Sequence, residues 1–276
     1  MSPSPGAPDG AGAGSLAAAL AAVAPLARER VVHVLDELPQ GPSHGTGWVA
    51  LADALAPGEV ERWVAVADAG LAAMVRRGSP VPGQVAPTYV LGFVLDALAQ
   101  AGGTPYALLR RVPDLDLARV AVRRAAPLGQ PDAVALLAGG SWCLPGDRAA
   151  ERAGARPAAG QDDLAAVLGR ELVGAARAVE RAWTPRVRVG SHQRWGLLAD
   201  AVDGVLGALG AARGDVAAGA ADSDRVLSRA PHPLRRPGRV RTCGSEGWTR
   251  ARRSCCFAYA ASPALLCRTC PRLPGR

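Results

Sequence analysis

The chain has 276 residues, 49% of them apolar, and a formal net charge of +8 at neutral pH. That apolar share supplies a sizeable core in one or two domains, while six cysteines are too few for a small disulfide scaffold. All 32 basic residues are arginine, and Ile, Lys and Asn are absent, so arginine usage reflects a compositional bias and marks no site by itself.

Residues 1–14, MSPSPGAPDGAGAG, are rich in Pro, Gly, Ala and Ser and are expected to be disordered. The GAGAG run follows no strand, which rules out a nucleotide-binding loop there. Residues 16–26, LAAALAAVAPL, fall short of the ~20 apolar residues of a spanning helix. No basic residue precedes Arg28, which argues against a secretory leader. The expectation is a cytoplasmic protein with no membrane span, peripheral membrane association being left open.

Ser15 would cap a helix reaching about residue 38, kinked or split at Pro25. A second helix is expected over 58–77, with Glu59 and Glu61 at its positive end and Arg76 and Arg77 at its negative end. Residues 88–100 and 105–111 suggest two more. In LARVAVRR, residues 117–124, the apolar positions alternate with period two. With the turn PLGQPD and the run AVALLAGGSWCLPG, this predicts a small antiparallel β unit over 117–145. Helical spacing returns in Leu164, Leu168, Leu172, Val179 and Trp183. It continues in Trp195, Leu198, Val202, Val205 and Leu209, with Ser191 as the cap. Trp183 and Trp195 read as core. Gly204, Gly207 and Gly210 read as a close helix contact. The fold class is therefore α+β, predominantly α-helical, followed by a short cysteine-rich C-terminal segment.

The charge is uneven. Residues 225–276 carry 12 arginines against one acid, Glu246. Such a block suits nucleic acid, an acidic protein or an anionic ligand, or is simply a solvated tail. Four of the six cysteines lie in the same segment, in RRSCCFAYAASPALLCRTCP: Cys255, Cys256, Cys267 and Cys270. In a reducing compartment, clustered cysteines point to metal or redox chemistry before disulfides. Four soft thiolates suit an all-thiolate zinc site or a [2Fe–2S] cluster. Neighbouring side chains of an extended chain point to opposite faces. Adjacent Cys255 and Cys256 therefore fit one tetrahedral ion less easily than a two-iron cluster. Buried thiols without a metal, and a disulfide, are the plainer alternatives.

The spacing C-C-x10-C-x2-C, met by Cys255, Cys256, Cys267 and Cys270, resembles the C-terminal motif of the ferric-siderophore reductase family. Arg252, Arg253 and Pro271 around it, and GSHQRWGLLADAVDG at 190–204, are similar in character to that family's segments. The residues before the third cysteine, AASPALL, depart from the glycines that are frequent there in that family. The resemblance implies a [2Fe–2S] protein that reduces siderophore-bound Fe(III) by one electron, with the four cysteines as ligands. It also implies a mainly helical siderophore-binding domain over 15–213 and an Arg-rich [2Fe–2S]-binding domain over 214–276. No G-x-G-x-x-G follows a strand, so an external donor is expected, such as a ferredoxin or a flavin reductase. Arg250, Arg252, Arg253, Arg268 and Arg272 would raise the cluster potential if close. Arg186, Arg188, His192 and Arg194 are candidates for an anionic ligand. Cys143 reads as a small core residue and Cys243 as a non-ligand. Nucleic acid is not an expected partner. The rival reading is a non-enzymatic regulatory or nucleic-acid-binding protein built around a zinc or iron–sulfur site.

Overall fold

A computed structural model describes residues 16–27, 32–38, 47–75, 81–187, 189–235, 242–244, 247–249, 252–262 and 270–272. The predominantly helical α+β class holds in it. Helix α1 (Leu16–Ala27) is followed by strand β1 (Val32–Leu35), strand β2 (Trp48–Ala50), a single turn α2 (Leu51–Ala54) and α3 (Glu59–Met74). The long helix α4 (Val85–Leu109) leads to β3 (Arg111–Pro113), β4 (Val120–Ala125), β5 (Gln130–Leu137), β6 (Ser141–Cys143) and β7 (Ala155–Pro157). Three helices come next: α5 (Gln161–Ala182), α6 (Ser191–Ala212) and α7 (Val216–Arg229). A two-stranded ribbon, β8 (Thr242–Gly244) and β9 (Gly247–Thr249), and the short α8 (Ala258–Ala261) complete the described chain.

The antiparallel unit expected at 117–145 is the β4–β5 hairpin, with Val120 opposite Leu136 and Val122 opposite Val134. It recruits partners from far away in sequence. β1 runs parallel beside β5 and β2 antiparallel beside β4, giving the order β1-β5-β4-β2. β6 belongs to a separate sheet, in the order β3-β6-β7. The helix expected over 15–38 therefore ends early. Val32, Val34 and Leu35 favour extended chain, and β5 supplies the ladder that a lone sequence window cannot reveal. Ser15, Arg76 and Arg77 lie outside the described residues.

The two helices expected at 88–100 and 105–111 are one. α4 continues through Gly102, Gly103 and Pro105, residues that individually oppose a helix. Burial overrides propensity here. Added at Gly102, a Cβ would lie 2.7 Å from Leu168 of α5, and at Gly103, 3.1 Å from Val205 of α6. α4 is thus the central helix, flanked on both sides. α6 runs parallel to it: Leu91 and Leu95 share a crevice with Arg194 and Trp195, and Arg213 donates to the Ala107 carbonyl at 2.9 Å.

α5 and α6 form where their periodicity predicts, but Gly190 takes the cap position expected for Ser191. Gly210 meets α7 at the expected close contact, where an added Cβ would lie 2.7 Å from Gly219 Cα, whereas Gly207 faces open space. Val226, Leu227, Ala230 and Leu234 share the core with α4 and α6, so the packed body runs past residue 213. Trp195 and Cys143 are buried, as expected, and Trp183 is half-buried against the core. α4 and α6 are long and apolar enough to cross a membrane by length and composition. They are also 78% and 61% buried within the protein, as core helices are.

Candidate metal centre

The described part of the cysteine motif is a loop held against the N-terminal half of α6. Gln193, Gly196 and Asp200 stand three, four and seven residues apart, so they share one helix face. Gln193 Nε2 donates to the Cys255 carbonyl. Gly196 lets the loop approach: a Cβ built there would sit 3.0 Å from Ser254 Cβ. The Asp200 carboxylate, 4% exposed, accepts from the Arg253 N–H at 2.8 Å. It also accepts from the Ser254 N–H at 2.9 Å and the Ser254 hydroxyl at 2.7 Å. Arg252 Nε lies 3.5 Å from the same carboxylate.

Beyond this clamp the chain turns. Phe257 has φ 60°, the left-handed region, and opens α8, whose Ala258 and Ala261 are buried. The turn brings the Phe257 N–H to 3.4 Å from Cys255 Sγ. A backbone donor to sulfur stabilises thiolate, as ligand cysteines require. Burial nevertheless pushes the Cys255 thiol up. The Phe257 N–H and the Arg272 charge act downward, while neighbouring Cys256 and Cys270 add to the rise. On the outer side, Arg272 lies 4.3 Å over the Tyr259 ring and donates to its hydroxyl at 2.7 Å. That contact ties the stretch after Cys270 to the stretch after Cys256.

Cys255, Cys256 and Cys270 take part in no disulfide. Cys267, Arg250, Arg268 and the Cys243 side chain lie outside the described residues. Among the described residues, no three His, Cys, Asp or Glu side chains form a group that could hold a metal ion. The donor chemistry still fits a thiolate-bound metal. Two of the thiols, Cys255 and Cys256, sit on a loop fixed from below, and Cys255 has a backbone N–H on its sulfur.

The other candidates separate. Arg194 is paired with Glu180, and Arg186 and His192 are exposed. Arg188 lies outside the described residues. Of the arginine block, Arg225 and Arg229 pair with Asp162. A cavity of about 680 Å³ lies elsewhere, lined by Asp36, Arg111, Asp114, Arg119 and Arg152. It adjoins the C-terminal end of α4. From Leu95, beside Trp195, to Leu109, the last residue of α4, is roughly 21 Å of helix at 1.5 Å per residue, which separates this cavity from the loop. Sequence reasoning missed Gln193, Gly196 and Asp200. The available signal was Asp200, a carboxylate set within the apolar periodicity of α6, which must be paired when buried.

No protein-family model matches this chain, and no curated protein matches it.

Proposed function

We propose that this protein is a cytoplasmic ferric-siderophore reductase whose [2Fe–2S] cluster is held by Cys255, Cys256, Cys267 and Cys270. The observation that supports it is the turn that puts Phe257 N–H on Cys255 Sγ, next to Cys256 in the chain. Bound there, the cluster would supply one electron to Fe(III), and siderophore oxygen donors grip Fe(II) far less tightly, so iron is released.

The chain's own residues serve that chemistry in distinct ways. Phe257 N–H favours thiolate at Cys255. α6 sets the backbone of residues 253–255 through Asp200 and Gln193. Arg272, exposed and latched to Tyr259, offers positive charge at the outer face. Such charge suits an anionic ferric chelate or an acidic electron donor, such as a ferredoxin. No G-x-G-x-x-G follows a strand, which supports an external donor over direct use of NAD(P)H.

The test is anaerobic purification with iron, zinc and acid-labile sulfide analysis. The expected result is a red-brown protein with two iron and two sulfide per chain, at the order expected for such clusters. Ser at any of the four positions should remove or shift the spectrum, and Cys143→Ser or Cys243→Ser should not. A colourless protein carrying zinc would exclude the redox reading and favour a structural or regulatory site.

A further inference from the structure

Asp200 anchors the loop that carries Cys255 and Cys256, and its negative charge has no part in the chemistry proposed above. It is 4% exposed and lies in α6, more than fifty residues before the thiols in sequence. Its two oxygens take the Arg253 N–H at 2.8 and 3.0 Å, the Ser254 N–H at 2.9 Å and the Ser254 hydroxyl at 2.7 Å. Ser254 is 2% exposed and immediately precedes Cys255. A buried carboxylate is costly unless its acceptor sites are filled, and filled sites hold their donors in one place. The loop backbone is therefore locked where the first thiol begins.

We propose that Asp200 is the positioning residue of the Cys255–Cys256 loop and the negative charge that offsets Arg252 beside it. Arg252 has its Nε 3.5 Å from the carboxylate, so its charge is met by Asp200 rather than presented to the thiols. The first half of this stands without any metal. The second rests on the cluster reading of the previous subsection. There, a fixed negative charge near the centre opposes addition of an electron and keeps the potential low. A low potential is what reduction of tightly held Fe(III) needs.

The experiment uses the full chain with Asp200→Asn, near in size but neutral and with one acceptor oxygen instead of two. Ser254→Ala is the second variant, weakening the same contact from the other side. In metal-free, reduced protein, alkylation by iodoacetamide is followed at each cysteine by mass spectrometry. Asp200→Asn should raise the rates at Cys255 and Cys256 by about tenfold and Ser254→Ala by less, while Cys143 stays unreactive. Unchanged rates at Cys255 and Cys256 would overturn the positioning role, and so would a rise that includes Cys143. In iron-loaded protein, Asp200→Asn should shift the reduced-to-oxidised ratio about tenfold towards reduced, ~59 mV for one electron. An unchanged potential would overturn the charge role. If the wild type takes up no iron, the cluster reading and the charge role fail together, and the alkylation rates still decide positioning.

Discussion

The Phe257 N–H donates to Cys255 Sγ across 3.4 Å, and the residue reaches it only by adopting φ 60°. A left-handed residue that is not glycine is uncommon and costs about 1–3 kcal/mol where the backbone is strained. Glycine takes that conformation freely and keeps the N–H. Phe257→Gly should therefore retain the turn, at the loss of ring contact with the core. Phe257→Val should lose it, because a β-branched residue is an outlier there. The check is metal content per chain, near wild type in the first variant and sharply lower in the second.

Gly196 is a point of close approach between α6 and the loop. A side chain there meets Ser254 Cβ at 3.0 Å. Gly196→Val should push the loop off the helix and destabilise the protein by about 1–3 kcal/mol, the usual penalty of overpacking. Helix content by circular dichroism should stay the same, while the metal is lost. Full metal content in the variant would show that the approach is not required.

The pH dependence of the metal-free protein follows from burial at Cys255. Its thiol is pushed above its ordinary value, chiefly by desolvation, with the Phe257 N–H and Arg272 opposing and Cys256 and Cys270 reinforcing. A raised value stabilises the fold fully below the unfolded thiol range, about 8.5, and that contribution is lost as pH rises through the folded value. Wild-type protein should thus lose thermal stability above about pH 8.5 more steeply than Cys255→Ala. Metal uptake requires thiolate, so affinity should climb with pH over the same range.

Away from the thiols, Arg111 and Asp147 join β3 to the turn after β6 by two hydrogen bonds, of 2.8 and 2.6 Å. Both are largely buried, with side chains 8% and 15% exposed. Asp147→Ala removes the carboxylate facing a buried guanidinium and should destabilise by about 3 kcal/mol in chemical denaturation. The bond from Arg111 holds the Asp147 carboxyl below its usual range, with burial opposing and the Ala149 N–H assisting. That stabilisation is present above the unfolded value, about 3.9, and is lost as pH falls through the folded value. The gap between wild type and variant should accordingly narrow in acid.

Much of the frame was legible in the sequence because it depends on local periodicity. α5, α6 and the β4–β5 hairpin announce themselves by spacing. What was not legible depends on partners far along the chain. Residues 32–35 are a strand because β5 lies beside them. α4 survives Pro105 because α5 and α6 enclose it. In the candidate site, four cysteines stood out by type and spacing. The carboxylate that holds two of them in place did not, because Asp200 is 54 residues from Ser254 and only folding joins them. The arginine block reads as one positive surface in sequence. In the fold, Arg225, Arg229 and Arg252 already face carboxylates.

The measurement closest to the central claim is a single-turnover reaction. Iron-loaded protein is chemically reduced without oxygen, freed of reductant and mixed with a ferric hydroxamate siderophore in the presence of a ferrous chelator. The protein should reoxidise, with one Fe(II) trapped per electron lost. Rates for an anionic ferric chelate should fall as salt rises, since screening shortens to ~8 Å at 0.15 M, and rates for a neutral one should change little. Reduced protein that keeps its electron before every ferric siderophore tried, yet gives it to ferricyanide, would contradict the reductase assignment.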